Sequence, residues 1–393
     1  MRVVLGAPIS IPPFSAGMAW NWMNLMVGLR RLGHDVWYVE EVEPSWCVDR
    51  RGQPCSFERS LNRELFGAVV ERFELDGRAA QVYDRGKAGS GVPLRKLLTG
   101  VRGADVLINM AGHVKTEEIL GSVRHRAYVD QDPVFTQLWS AEYQADLGFD
   151  HHDAFFSVGL NIGTRHTDIP DCGRRWHHLL PPVVLDLWPP RIDPACRRFT
   201  TVASWGSFRD LQHRGVWYGS KHREFERFAG LPRSSKQELE VVLRRYDGED
   251  PAIQLLRSNG WVIRDTSEVA DVDSYRDLIG TSRAEIGISK HAYVAARSGW
   301  FSDRSAHYLA SGKPVLAQST GFERCLPTGS GLLAFSNLDE AVAGIDAING
   351  RYAAHCEAAR ELAREHLDHR KVIPRMLELA TAGTGRRTVV GGV

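Results

Sequence analysis

Cysteine is sparse in this chain of 393 residues, and the six present (Cys47, Cys55, Cys172, Cys196, Cys325 and Cys356) are scattered without a C-x-x-C pair. That excludes a disulfide framework and a cysteine-rich zinc site, and it fits free thiols in a cytoplasmic protein. Long hydrophobic runs are missing as well. No stretch of about 18 apolar residues occurs, so no membrane-spanning helix is expected, and the opening Met1–Gly6 lacks the form of a signal peptide. A charge of one sign is also lacking. The 49 basic and 48 acidic side chains leave a formal net charge of +1, which argues against a dedicated nucleic-acid binder. There is no H-E-x-x-H, and the histidine pairs His151-His152 and His177-His178 are adjacent residues, which project to opposite faces of a strand. No metal site is therefore expected.

What is there is the texture of an α/β protein of two domains. Arg2 to Leu5 reads as a strand, Gly6 to Gly17 as a Gly/Pro-rich loop, Met18 to Leu32 as a helix, and Val36 to Val39 as a second strand. This is a βαβ unit, which demands a parallel sheet. Further strands are expected at Val106–Asn109, Arg126–Val129 and Ala154–Val158. Proline pairs at Pro181-Pro182 and Pro189-Pro190 mark the connection between domains. A second series then opens with Phe199–Ala203 as a strand ending at Ser204-Trp205-Gly206. Helices are expected at Glu224–Phe228 and Lys236–Arg245. Strands follow at Trp261–Ile263, Ala284–Ile288 and Pro314–Ala317, then two helices at Asn337–Ile348 and Tyr352–His366. The division expected is residues 1–190, residues 191–378, and a disordered tail at 379–393.

The most specific segment is Arg297-Ser298-Gly299-Trp300-Phe301-Ser302-Asp303-Arg304, a glycine turn leading into a helix with Ser302 as N-cap. The free N–H groups and positive dipole end of such a helix suit a diphosphate, and Arg297 and Arg304 can add charge-assisted contacts. Equally, spacing alone is satisfied by a capped structural helix. Gly299-Trp300-x-Ser302, then a helix, then Gly312-x-Pro314 before a strand resembles the donor-site signature of GT-B glycosyltransferases. Ser319-Thr320-Gly321-Phe322, the run Gly329-x-Gly331-Leu332-Leu333-Ala334-Phe335 and Leu338-Asp339-Glu340-Ala341 extend the likeness. It covers Val202 to about Leu377; the first 190 residues fit the acceptor domain in pattern only. The sequence departs from the family where a ribose-binding Glu is common, carrying Ser305 and His307, and Arg297 replaces the motif's opening His.

The resemblance implies two Rossmann-like domains facing across a cleft, closed by a C-terminal helix. It implies transfer of a sugar from a UDP-, dTDP- or GDP-linked donor to a hydroxyl or amine of an acceptor, by a monomer or homodimer, with no catalytic metal or other cofactor. An epimerase of the same fold and a non-catalytic nucleotide-sugar-binding protein remain as alternatives. Donor-site candidates are Gly17, Trp205, Gly206, Lys221, Lys290, Arg297, Ser298, Gly299, Trp300, Phe301, Ser302, Asp303, Arg304, Thr320 and Gly321, with Arg209 as a companion to Lys221. The Gly6–Gly17 loop is no G-x-G-x-x-G fingerprint and holds no His. His113, at the end of one strand, and Asp130 and Asp132, at the end of another, are the candidates for acceptor base, the two aspartates expected on one side of an extended segment. Of the eleven tryptophans, Trp20, Trp22 and Trp139 are candidates to line an acceptor pocket.

Overall fold

In the computed structural model, residues 1–206, 208–244 and 246–382 are described. The Arg245 end of one expected helix and residues 383–393 of the expected tail lie outside them. In the first half, eight strands form one sheet: β1 (Arg2–Gly6), β2 (Asp35–Val42), β3 (Ala79–Tyr83), β4 (Ala88–Gly91), β5 (Ala104–Met110), β6 (Val123–Asp130), β7 (Ala154–Ser157) and β8 (Trp176–His178). Their order is β4-β3-β2-β1-β5-β6-β7-β8, all parallel except the edge hairpin β3–β4. The second half carries β9 (Phe199–Ser204), a small hairpin of β10 (Leu211–His213) and β11 (Val216–Tyr218), then β12 (Leu239–Arg244), β13 (Val262–Asp265), β14 (Ala284–Gly287), β15 (Val315–Gln318) and β16 (Leu332–Phe335). The order β13-β12-β9-β14-β15-β16 is wholly parallel. Counting along this sheet gives third, second, first, fourth, fifth, sixth, the doubly wound arrangement.

Two Rossmann-like halves were expected and are present. One local expectation fails: Lys236–Arg245 is not a helix. Leu239–Arg244 form the interior strand β12, where Leu239, Val241, Val242 and Leu243 are completely buried. A strand covered on both faces is apolar on both, so the alternation that separates strand from helix is lost. The closing helix His369–Thr381 does not sit on the second sheet. It returns to pack on the first helix, Ala16–Arg31, and on β5, β6 and β7. Gly28 permits that approach, since a Cβ there would lie 2.6 Å from Ile373 Cδ1.

The halves share one continuous apolar core, in which Trp20, Trp188, Tyr275, Phe301 and Tyr308 are buried together. At its centre Asn24 is fully buried and fully used. Its Nδ2 donates to Trp20 O (3.0 Å) and to His307 Nε2 (3.1 Å), while its Oδ1 accepts from Val184 N (2.9 Å) and Trp188 Nε1 (3.3 Å). Because Oδ1 takes two N–H donors, Nδ2 must be the donor to His307, leaving that ring neutral with its proton on Nδ1. Burial pushes the His307 pKa down to about 3, and the ring stacks on Trp188 at 4.3 Å. One asparagine thus joins the first helix, the inter-domain connection and the helix Asp303–Ala310.

Replacing Asn24 by Ala strands the Val184 and Trp188 donors. An unsatisfied buried donor costs roughly 1–3 kcal/mol, so Asn24→Ala should lower the unfolding free energy by at least that range, read as a lower denaturant midpoint at unchanged slope. An unchanged midpoint would show that the seam is not held here.

Candidate functional site

Carboxyl ends of parallel strands face the cleft from both sides, as the crossover topology requires. The cleft has a volume of about 520 Å³. From the first half come the β1-to-helix loop (Ile11 to Met18), Trp46 after β2, Met110 ending β5, Gln131 and Asp132 after β6, and Val158 after β7. From the second come Val202 to Ser204 of β9, Arg244 of β12, Thr266 and Val269 after β13, Lys290 and Tyr293 after β14, and Trp300 to Arg304.

The helix Asp303–Ala310 aims its N-terminus into this space, with Ser302 as N-cap accepting from Arg304 N at 3.2 Å. Arg304, expected to reach a phosphate, is instead committed to the protein. Its Nε donates to the fully buried Glu285 Oε1 (2.5 Å) and its Nη1 to Val202 O (2.6 Å). Lys221 differs. Its side chain is only 6% exposed, it lines the cleft, and it has no hydrogen bond or ion pair among the described residues; its ammonium lies 5.8 Å from the centre of the Trp300 ring. Burial first, then the neighbouring Arg304 and Lys290 charges, hold its pKa well below the ordinary lysine range. Asp303 faces the same space, its carboxyl raised by burial.

Lys290 closes the other end. Its Nζ donates to Asp132 Oδ1 at 2.5 Å, and Tyr293 OH donates to the same oxygen at 2.8 Å. Asp132 Oδ2 carries no hydrogen bond among the described residues. The ammonium of Lys290 also sits 4.2 Å from the Phe208 ring centre.

The three acceptor-base candidates do not assemble. Asp130 is fully buried behind the cleft, its carboxylate accepting from Thr136 Oγ1, Gln137 Nε2, Ser157 Oγ and Asp132 N. Strand β6 ends at Asp130 and the chain turns there, so the two aspartates do not point the same way. His113 is carried off by left-handed Ala111 (φ 49°) and Gly112 (φ 68°). Its Nε2 accepts from Glu41 N at 3.0 Å, and desolvation lowers its pKa to about 3. Only Asp132 reaches the cleft.

The donor candidates divide similarly. Gly17, Lys221, Lys290, Trp300, Phe301, Ser302, Asp303 and Arg304 line the cleft. Trp205 and Gly206 do not; Trp205 is buried, with Nε1 donating to Asp250 Oδ2 at 2.9 Å. Arg297, Ser298, Gly299, Thr320 and Gly321 form the support beneath the loop. Asn161 of the first half donates to Arg297 O (2.8 Å), and its backbone N–H to Ser298 O (3.0 Å). Gly299 is φ 74°, and a Cβ there would lie 2.8 Å from Asn161 N. Gly321 likewise faces Asn161, and Thr320 Oγ1 donates to Trp300 O. Arg209 is exposed and outside the lining. Arg244, which sequence reasoning missed because its strand was read as a helix, stands in the cleft instead, its Nη2 donating to Ser204 Oγ at 2.9 Å. Trp22 lines the cleft, Trp20 lies in the seam, and Trp139 packs on Phe135 and Phe208. Among the described residues, no group of three or more His, Cys, Asp or Glu is placed to hold a metal, and no helix is long and apolar enough to cross a membrane.

Beneath the β1-to-helix loop, Glu40 is fully buried. Its Oε1 accepts from Ile9 N and Ser10 N (2.7 Å each), its Oε2 from Ser10 Oγ (2.9 Å) and Gln81 Nε2 (2.9 Å).

No family model and no curated protein matches the sequence. Solved structures do. An α-glucosyltransferase in complex with UDP and a 13-mer DNA shares 13% identity at a TM-score of 0.60, over 97% of this chain and 99% of that one. The Anabaena protein HepE in complex with UDP-glucose shares 11% at 0.59, over 97% and 100%. AviGT4, a glycosyltransferase involved in avilamycin A biosynthesis, shares 15% at 0.56, over 98% and 100%. The chain has the GT-B fold.

Burial raises the Glu40 pKa to about 7, against the pull of its four donors. A carboxyl raised on folding contributes stability that is complete below the unfolded value and is lost as pH rises through the folded one. Between pH about 4.5 and 7 the native protein should therefore lose roughly 2–3 kcal/mol relative to Glu40→Gln, at about 1.4 kcal/mol per unit. Unfolding free energies of both proteins across that window test this; a difference independent of pH would mean that Glu40 stays ionised throughout.

Proposed function

We propose that this GT-B chain transfers a sugar from a nucleotide diphosphate sugar to a hydroxyl or amine, meeting the donor's charge with protein cations. The observation that carries this reading is Lys221. A lysine removed from water without a carboxylate destabilises the free protein. It is retained beside a capped helix N-terminus, in a cleft that also holds Arg244 and Lys290. A diphosphate is the anion that such a corner takes: free helix N–H groups at one side, an ammonium without an ion-pair partner among the described residues at the other.

In the reaction the acceptor's oxygen or nitrogen bonds to the anomeric carbon as the bond from that carbon to the diphosphate oxygen breaks, and negative charge grows on the departing oxygen. Lys221 and the helix N-terminus stabilise it in a site with little water. Opposite, Asp132 is oriented by Lys290 and Tyr293, both on Oδ1, which leaves Oδ2 to take the proton of the acceptor. Arg304 acts through position: by gripping Glu285 and Val202 O it fixes the helix whose N-terminus meets the phosphates. Similar structures solved with UDP or UDP-glucose support the nucleotide-sugar part of this reading.

Lys221→Met should raise the melting temperature of the free protein, because it removes an unpaired buried charge, yet weaken UDP binding about 10- to 100-fold, as loss of one hydrogen bond to a charged group implies. Asp132→Asn should leave UDP affinity undiminished and cut transfer roughly 10²–10⁴-fold. Calorimetry with UDP and transfer assays on the same folded variants separate the two; unchanged UDP affinity in Lys221→Met would end the donor assignment.

If protein cations carry the diphosphate charge, transfer should also persist after exhaustive chelation. Activity that disappears with chelator and returns with magnesium or manganese would overturn that part of the proposal.

A further inference from the structure

The two walls of the cleft differ sharply in charge. The second-half wall presents Lys221, Arg244, Lys290, Asp303 and Arg304, whereas on the first-half wall Asp132 is the only charged lining residue among the described residues. The rest of that wall is dominated by apolar and aromatic side chains, among them Ile11, Phe14, Met18, Trp46 and Pro182. Several are partly exposed to the cleft rather than folded into the core. Its polar groups are few, Ser15, Asn21 and Gln131.

This wall is deliberately held. Phe14 sits in the left-handed region at φ 58°, an unusual conformation for a bulky side chain, of the kind that persists where the surroundings impose it and that clusters at ligand sites. Glu40 ties down Ile9 and Ser10 just before it. Trp46 ends the short turn Pro44–Trp46, and its ring lies parallel to His113 at 6.4 Å. His113 is itself fixed by Glu41 N. The histidine is therefore a positioning residue for the tryptophan.

We infer that the acceptor is an uncharged, largely apolar ring compound, an aromatic or alicyclic alcohol, lying against Phe14, Met18 and Trp46 with its hydroxyl at Asp132. This rests on the transfer reading above. A sugar phosphate or a nucleic acid would bring anionic groups to a wall without a cation, and a free sugar would bring more hydroxyls than this wall can hydrogen-bond. Burying such groups unpaired is costly. A flat or alicyclic ring covers the apolar wall without that cost and presents the one polar atom the reaction needs.

The test is calorimetric titration of the UDP-loaded protein with 4-methylumbelliferone and estradiol, and in parallel with maltose, glucose 6-phosphate and a short DNA duplex. The ring alcohols should bind more tightly than the other three. Trp46→Ala should weaken them at least tenfold and leave UDP affinity within twofold, and Trp46→Phe should restore most of the loss. Tighter binding of maltose, the sugar phosphate or the duplex overturns the inference and leaves the transfer reading standing, as does ring-alcohol binding indifferent to Trp46→Ala. Failure of UDP itself to bind defeats the transfer reading, and the ring alcohols titrated without UDP then decide the character of the wall alone.

Discussion

One buried ion pair fixes where everything else can happen. Glu285 lies in β14, next to β9, at the point where the second sheet reverses its winding. Arg304 reaches it from the first turn of the helix Asp303–Ala310 and also bonds Val202 O of β9. Three elements are thereby locked around the reversal, where a doubly wound sheet leaves its crevice. An ion pair this buried repays desolvation only with good geometry, and breaking one partner leaves an uncompensated charge. Arg304 is therefore a poor ligand for a transient anion and a good anchor. Lys221, beside the same helix N-terminus, has no such partner among the described residues.

The second constraint is the seam. Asn24 and His307 join the halves at one side, and Asn161 with the Ser298–Trp300 turn joins them at another. The glycines of the turn serve this closeness, since a side chain at Gly299 or Gly321 would strike Asn161. The motif residues thus split into two tasks. Trp300 to Arg304 face the cleft, while Arg297 to Gly299, with Thr320 and Gly321, carry the load of the opposing half. A sequence motif does not distinguish the two, because both leave the same small residues behind.

Much of the fold was legible in the sequence, because βαβ units announce themselves through apolar runs, glycine turns and capped helices. The failures have physical causes. Strand β12 is buried on both faces, so its pattern resembles a helix, and the misreading hid Arg244. The strand-end rule located the correct rim, but it does not say which residue turns towards the cleft. Chain reversal after Asp130 placed one aspartate inside and the other in the cleft. Two left-handed residues before His113 swung it towards β2. Nor did local pattern reveal that the closing helix returns to the first sheet; Gly28 carries that information only once its partner Ile373 is known.

The polarity of the cleft follows from these same placements. Cations and helix N–H groups can be concentrated on one wall because the glycine turn and the β9–β14 reversal both belong to the second half. The first half contributes a loop held from below by Glu40 and a tryptophan propped by His113, neither of which brings charge to the surface. The proposed placement of a donor on the cationic wall and an acceptor on the apolar one rests on this asymmetry. The carboxylate of Asp132 stands where the two walls meet, gripped on one oxygen by groups of the second half and open on the other. It is this junction that the transfer reading proposed above assigns to the passage of the acceptor's proton.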